Sequence, residues 1–152
     1  MIGENAHLFT LKDSDCKDVS LSEYNGKPVV LLFFPLAFTG VCTEELCHMR
    51  DNFKKFESLN AEILAISVDS PFTLAKFKAE HDLNFKILSD FNKDVSQAYG
   101  AFYEDFVLGL KGVSKRATFV IDKDGKIQYQ EILENAGKLP NFTELENALA
   151  NL

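Results

Sequence analysis

The residue with the clearest chemical potential is Cys42, because it lies where a predicted strand passes into a predicted helix. The apolar run Val29–Phe34 is typical of a strand that is buried on both faces. A helix is predicted from Thr43 to about Leu59, where apolar residues recur every three or four positions. At such a junction, free backbone N–H groups and the positive end of the helix dipole favour the reactive thiolate. Cys42 is therefore a candidate nucleophile; the alternative is a small apolar residue at a helix start.

Three neighbours of Cys42 strengthen the chemical interpretation. Thr39 has a hydroxyl group that can donate to, or accept from, a bound oxygen atom. Pro35 offers an apolar wall without an N–H group, which can shield a thiolate from water. Gly40 allows the backbone to turn tightly between them. These residue types together favour a reactive thiol over a purely structural cysteine.

The three cysteines of the chain argue against two common uses of this residue. A secreted disulfide scaffold has more cysteines in a shorter chain, usually in an even number. Tetrahedral zinc usually takes two ligand pairs, whereas Cys42, Cys47 and His48 form one cluster without a second pair, so we predict no metal and no cofactor. Cys16 lies in a polar, turn-like stretch, and we assign it no role. Unpaired cysteines are expected in a reducing cytoplasm.

Composition and charge limit the partners of the chain. Its 152 residues fit one domain, residues 1–152, and an apolar fraction of 46% excludes a disordered chain. The formal charge of −7 argues against nucleic acid, whose phosphates need clustered Lys and Arg. The N-terminus lacks the basic and apolar regions of a signal peptide. The longest apolar run is far shorter than the roughly 20 residues of a membrane span. We therefore expect a cytoplasmic protein that binds neither nucleic acid nor membrane.

The order of the predicted elements indicates an α/β fold. Strand, helix and strand alternate from Pro28 to Val68, which predicts a βαβ unit with parallel strands. Another helix opens at Ser70-Pro71, and a hairpin with an Asp-Gly turn spans 117–130 before an amphipathic C-terminal helix. Residues 8–24 are predicted to form an N-terminal hairpin. This order is that of a thioredoxin-like fold: a central mixed β-sheet flanked by helices, here with an N-terminal β-hairpin extension.

The residues around Cys42 carry a resemblance to a known family. The pattern Pro35-x-x-x-Thr39-x-x-Cys42 resembles the P-x-x-x-T-x-x-C signature of the peroxiredoxins, which are thiol peroxidases with a thioredoxin-like fold. Val68-Asp69-Ser70 resembles the V-D-S that follows the family's next core strand. Arg116 opens a segment that resembles the R-x-T-F-V-I-D strand of the family. The likeness covers nearly the whole chain, from about residue 3 to residue 150.

The resemblance implies a role for each of these residues. Cys42 would attack the terminal oxygen of hydrogen peroxide or an organic hydroperoxide and become a sulfenic acid. Arg116 would stabilise the thiolate and the charge that develops on the leaving oxygen. Thr39 would orient the peroxide by hydrogen bonding, and Pro35 would keep water away. Glu45 falls where the family often carries a glutamate, and we take it as a candidate supporting residue.

Cys47 distinguishes two possible reaction cycles. The run from Phe34 to Cys42 is closest to the AhpE-like group, which often relies on an external thiol. The C-x4-C spacing is also that of the bacterioferritin-comigratory (PrxQ-like) group, where the second cysteine resolves the sulfenic acid. On a continuous helix such a pair has Cα atoms about 8.7 Å apart, beyond the roughly 7 Å limit for a disulfide, so the helix must unwind. We predict that Cys47 resolves Cys42; the alternative is a 1-Cys peroxidase in which Cys47 is structural.

The partners and competing functions follow from the same residues. A thioredoxin-like or other thiol reductant would recycle the enzyme. A disulfide reductase of the thioredoxin type is disfavoured because the chain has no C-x-x-C motif, and a non-catalytic thioredoxin-fold binding module remains open. Several aromatic residues fall in predicted loops or helix starts, and we expect some of them to form a homodimer interface beside the site. They are Phe38, Phe72, Phe102, Tyr103 and Phe106.

Overall fold

A seven-stranded mixed sheet forms the centre of the fold in the computed structural model, which describes residues 1–152. Seven of the nine strands form this sheet, and β6 and β7 form a separate two-stranded sheet. The strands are β1 (Thr10–Asp13), β2 (Asp18–Ser20), β3 (Val29–Phe33), β4 (Glu62–Ser67), β5 (Lys86–Ser89), β6 (Phe102–Tyr103), β7 (Val113–Ser114), β8 (Arg116–Ile121) and β9 (Ile127–Leu133). The helices are α1 (Gly40–Asp51), α2 (Phe53–Ser58), α3 (Pro71–Glu80), α4 (Asp94–Ala98) and α5 (Phe142–Ala150). None of the helices has the length and apolar character needed to cross a bilayer.

The strand order of the main sheet is β2-β1-β5-β4-β3-β8-β9. Strands β3, β4 and β5 run parallel, and all other neighbours are antiparallel. Parallel neighbours need a crossover connection, which α1 and α2 supply between β3 and β4, and α3 between β4 and β5. The predicted βαβ unit and the mixed central sheet are therefore confirmed.

The central strand β3 is buried along its whole length because both faces of the sheet are covered. Val30 and Leu32 point into a core that includes residues of α1, α2, α3 and α5. Val29, Leu31 and Phe33 point into a second core with residues of β8, α4 and the N-terminal segment. A continuous apolar run, rather than an alternating one, is what such a strand requires.

The N-terminal hairpin of β1 and β2 extends the main sheet, since β1 pairs with β5. This confirms the predicted hairpin within residues 8–24. Cys16 lies in its turn, is exposed and has φ of 62°, in the left-handed region. The turn is closed by Asp13, whose Oδ1 accepts hydrogen bonds from the backbone N–H groups of Asp15 and Lys17.

The predicted helix from Thr43 to about Leu59 is wrong at its start and in its continuity. It begins at Gly40 because Thr39 has an extended backbone and takes the N-cap position. It is interrupted at Asn52, whose backbone N–H and side-chain amide both donate to the carbonyl oxygen of His48. Cys42 is consequently the third residue of α1 and belongs to its first turn.

Candidate active site

Cys42 lines a cavity of about 280 Å³. Strand β3 delivers the chain to the loop of residues 34–39, and this loop delivers it to the first turn of α1. The residue is fully covered, with 0% of its surface exposed, although it lines the cavity. The other lining residues are Pro35, Thr39, Gly40, Val41, Phe106, Val107, Arg116, Ala136 and Gly137.

Arg116 faces the sulfur atom of Cys42 from the neighbouring strand. It is the first residue of β8, whose next residue Ala117 pairs with Phe33 at the end of β3. This register places Arg116 beside the loop that leads to Cys42. Its Nη1 and Nη2 atoms each lie 3.4 Å from the Cys42 Sγ atom. Two donors from a permanently charged, buried group form an arrangement that stabilises negative charge on sulfur.

The guanidinium group of Arg116 is held by two further partners. Nη1 donates to Glu45 Oε1 at 2.7 Å, and Nη2 donates to the Ala136 carbonyl oxygen at 2.7 Å. Nε also donates to Ala136, at 3.3 Å. Burial opposes the charge of Arg116, but the negative groups of Glu45 and Cys42 outweigh it and raise the pKa of Arg116. The orientation of the group is thereby fixed by α1 and by the loop between β9 and α5.

Glu45 is a wholly buried carboxyl group on the second turn of α1. Burial raises its pKa to about 7, although the charge and the hydrogen bond of Arg116 act in the opposite direction; Glu131 adds a smaller raising effect. Its Oε2 atom has no hydrogen-bond partner. Glu45 is therefore a titrating group near neutral pH, and its charged form shares Arg116 with Cys42.

The loop that precedes α1 brings Thr39 and Pro35 to the cavity. The hydroxyl group of Thr39 donates to the carbonyl oxygen of Leu36 at 2.7 Å. Its oxygen keeps lone pairs with which it can accept a hydrogen bond from a peroxide O–H group. Pro35 is buried and has no N–H group to compete for the sulfur. The structure thus brings together Pro35, Thr39, Cys42 and Arg116, as the sequence motif predicts.

The structure does not bring Cys47 to Cys42. Cys47 is a half-buried free thiol on the same helix, and α1 is continuous from Gly40 to Asp51. Five positions on an α-helix separate the Cα atoms by about 8.7 Å, which is too far for a disulfide. The reduced form therefore holds the two thiols apart.

Three contributors to the site were missed by the sequence reasoning. Ala136 contributes only its backbone carbonyl oxygen, which no residue type marks in a sequence. Val107 lines the cavity from the connection between β6 and β7, a pair of strands only two residues long that no periodicity predicts. Phe106 was expected at a dimer interface, and it lines the same cavity. No group of three or more His, Cys, Asp or Glu side chains is arranged to hold a metal ion.

Comparison with known families gives an independent assignment. The model of the AhpC/TSA family matches residues 2–130. The chain belongs to the AhpC/TSA family. As a member of this peroxiredoxin family it resembles alkyl hydroperoxide reductase E of Mycobacterium tuberculosis, with 40% identity over 99% of this chain and 97% of the relative. It also resembles the chloroplastic peroxiredoxin Q of Oryza sativa, with 39% identity over 84% of this chain and 57% of the relative.

Solved structures of peroxiredoxins have the same fold. The reduced 2-Cys peroxiredoxin of Plasmodium vivax superimposes with a TM-score of 0.87 and 28% identity, covering 99% of this chain and 94% of that chain. Peroxidoxin BcpB of Mycobacterium tuberculosis superimposes with a TM-score of 0.84 and 30% identity, covering 98% and 96% of the two chains. The predicted thioredoxin-like fold is therefore confirmed.

The function class follows from these relatives. The protein is a thiol-dependent peroxidase, an oxidoreductase that takes a hydroperoxide as substrate and a thiol as reductant. This confirms the predicted enzyme class and disfavours the non-catalytic binding module. The relatives include an alkyl hydroperoxide reductase E and a peroxiredoxin Q. This agrees with the resemblance of the sequence to both the AhpE-like and the PrxQ-like groups. The role of each site residue, and that of Cys47 above all, stays a prediction.

Proposed function

We propose that Cys42 is the nucleophile that reduces the hydroperoxide. The observation that carries this assignment is the pair of 3.4 Å contacts from Arg116 Nη1 and Nη2 to Cys42 Sγ. The thiolate attacks the terminal oxygen, the S–O bond forms and the O–O bond breaks. Sulfur loses two electrons and becomes a sulfenic acid, and the other oxygen leaves as water or an alcohol after it takes up a proton.

The surrounding residues divide the remaining tasks. Arg116 stabilises the thiolate and, in the transition state, the charge on the leaving oxygen. The Thr39 hydroxyl oxygen accepts a hydrogen bond from the peroxide O–H group and thereby aligns the O–O bond with the sulfur. Pro35 covers the sulfur with carbon atoms and keeps water from solvating it. Glu45 accepts a hydrogen bond from Arg116 Nη1 and thereby fixes the orientation of the guanidinium group.

Cys47 completes the cycle in our proposal. Once α1 unwinds in its first turns, the Cys47 thiol attacks the sulfenic sulfur of Cys42, a disulfide forms and water leaves. A thioredoxin-like protein, or another dithiol, then reduces the disulfide and regenerates both thiols. All three cysteines are free in this structure, which is the dithiol form from which such a cycle starts. We propose that the protein works in a reducing compartment such as the cytoplasm. In the alternative cycle an external thiol reduces the sulfenic acid directly, and Cys47 is structural.

We further propose that the protein acts as a homodimer. Two of the aromatic residues expected at an interface have much of their side chain in solvent: Phe72, at 77% exposed, and Phe38, at 47%. Phe38 follows the end of β3 and Phe72 follows the end of β4. Because these strands run parallel, both residues lie at the carboxyl-terminal ends of the strands, where the site also lies. Exposed aromatic surface of this kind is typical of an interaction face.

A single-turnover experiment tests the assignment of the two cysteines. The reduced protein receives one equivalent of hydrogen peroxide or of an organic hydroperoxide, and peptide mass spectrometry identifies the product. For the wild-type protein we expect the loss of two hydrogens and a Cys42–Cys47 link. Cys47→Ser should instead accumulate a sulfenic acid on Cys42, and the matched control Cys16→Ser should behave like the wild type because Cys16 lies in a distant hairpin turn.

The outcomes separate the two parts of the proposal. Oxidation that begins at Cys47 or Cys16 would contradict the nucleophilic role of Cys42. A stable sulfenic acid on Cys42 in the wild-type protein would instead leave Cys42 in place and contradict resolution by Cys47.

A further inference from the structure

The carboxylate of Asp69 ties the end of β4 to the loop that carries Thr39. Its Oδ2 atom accepts a hydrogen bond from the backbone N–H of Ala37 at 2.8 Å. The same atom accepts a hydrogen bond from the hydroxyl group of Ser67 at 2.7 Å. Asp69 follows β4, and its Oδ2 atom therefore links the end of this strand to the middle of the loop between Pro35 and Thr39.

Asp69 is itself firmly held at the ends of two strands. The hydroxyl oxygen of Ser67, a fully buried residue, accepts a hydrogen bond from the Asp69 backbone N–H at 3.2 Å. The hydroxyl group of Ser89, at the end of β5, donates to the Asp69 carbonyl oxygen at 2.6 Å. Because its side chain and its backbone are both hydrogen-bonded to strand ends, Asp69 fixes the position of the loop relative to the sheet.

The loop needs such an anchor. Between Leu36 and Thr39, the Ala37 N–H is the only backbone donor that bonds within the chain. The next residue, Phe38, has φ of 67°, a left-handed conformation that a bulky side chain adopts at a cost on the order of 1 kcal/mol. The backbone of Thr39 is held at α1, because its carbonyl oxygen accepts a hydrogen bond from the Thr43 N–H at 3.0 Å. The segment before it depends on the Ala37 tie, and without that tie it would relax and turn the Thr39 hydroxyl group, which is bonded to Leu36.

We infer that Asp69 is a positioning residue for the peroxide: it fixes Ala37, and through Ala37 the place of Thr39 over Cys42. The inference rests on the proposed roles of Cys42 and Thr39. Arg116 approaches Cys42 from β8, and its hydrogen bonds go to Cys42, Glu45 and Ala136 and not to Asp69. Loss of the Asp69 carboxylate should therefore affect Thr39 without affecting the Arg116–Cys42 contact. The thiolate keeps its Arg116 contacts, whereas the peroxide loses its alignment.

The test compares two reactions of the same sulfur in Asp69→Ala. Oxidation by hydrogen peroxide depends on alignment of the O–O bond, and alkylation by iodoacetamide at the same pH depends mainly on the thiolate. We expect the oxidation rate constant to fall by about 10- to 100-fold, the cost of a reactant misplaced by about 1 Å, and alkylation to change by less than about threefold. Asp69→Asn keeps an acceptor oxygen for Ala37 and should restore most of the oxidation rate.

Asp122→Ala is the matched control, because one carboxylate oxygen of Asp122 also accepts two hydrogen bonds. Here both come from backbone N–H groups, and they close the turn between β8 and β9. It should oxidise at the wild-type rate. If Asp69→Ala fails to fold, Ser67→Ala carries the test, with a smaller fall in oxidation, about threefold, and unchanged alkylation.

Three results would overturn the inference: a wild-type oxidation rate in the Asp69 or Ser67 variant, an equal fall in alkylation, or an equal fall in Asp122→Ala. A wild-type protein that is not oxidised at Cys42 would instead refute the proposed function itself.

Discussion

At the scale of single residues, one guanidinium group serves two acidic side chains. Arg116 contacts Cys42 Sγ at 3.4 Å and Glu45 Oε1 at 2.7 Å, and all three residues are buried. The charge available to the thiolate therefore depends on the protonation of a neighbour that never touches the peroxide. Because burial raises the pKa of Glu45 to about 7, this neighbour changes its charge near neutral pH.

The raised pKa of Glu45 predicts that stability falls between pH 4.5 and about 7. Over this range the folded protein keeps a proton that the unfolded chain releases, so the stabilisation present at low pH is lost as the pH rises. The loss is on the order of 3 kcal/mol. Glu45→Gln cannot ionise and should remove this slope.

Urea unfolding of the reduced protein at several pH values measures this effect. Glu44→Gln, an exposed neighbour on the same helix, is the control and should keep the wild-type slope. Parallel stability curves for Glu45→Gln and the wild type would show that Glu45 does not titrate as described.

At the scale of elements, α1 has two opposing tasks. Its first turn holds Cys42 against Arg116 in the reduced form, and its regular geometry keeps Cys47 too far away to react. The C-terminal half is anchored, because Arg50 donates to the carbonyl oxygen of His81 beyond the end of α3. Unwinding is therefore expected in the first turns, between Gly40 and Cys47.

This division predicts that the flexibility of α1 between its two cysteines sets the rate of disulfide formation. Glu44 is exposed there, so Glu44→Gly and Glu44→Ala remove the same charge but differ in helix propensity. Glycine destabilises a helix by about 0.5–1 kcal/mol relative to alanine, so the glycine variant should form the disulfide about two- to fivefold faster. Quenched-flow oxidation followed by mass spectrometry measures both steps, and equal disulfide rates in the two variants would count against unwinding as the controlling step.

At the scale of the whole molecule, the exposed aromatic surface predicts association of two copies. Phe72 is 77% exposed, and an aspartate in its place would put a charge into an apolar interface. We expect a dimeric mass for the wild type at micromolar concentration and a monomeric mass for Phe72→Asp by light scattering. Ile2→Asp, at another 60% exposed apolar position, should remain dimeric. A monomeric wild type would refute the dimer.

How much of this molecule could be predicted from its sequence depends on the kind of interaction. Cys42 and Arg116 were identifiable because a motif records side chains, and β3 because a strand buried on both faces is continuously apolar. The carbonyl oxygen of Ala136 was not, since every residue has one. The anchoring role of Asp69 depends on tertiary distances across three strands, and the start of α1 depends on the backbone of Thr39. Residue spacing along the chain predicts neither these tertiary distances nor the backbone conformation of Thr39.

The complete burial of Cys42 has a consequence for the order of events in each turnover. A hydroperoxide is small enough to bring its terminal oxygen down a cavity of about 280 Å³, whereas the thiol of another protein is attached to a surface too large to follow it. For the proposed role of Cys42, we therefore expect the folded site to admit the oxidant and to exclude a protein reductant. In the proposed cycle, reduction follows a rearrangement of the oxidised enzyme, so oxidation and reduction should alternate with ping-pong kinetics.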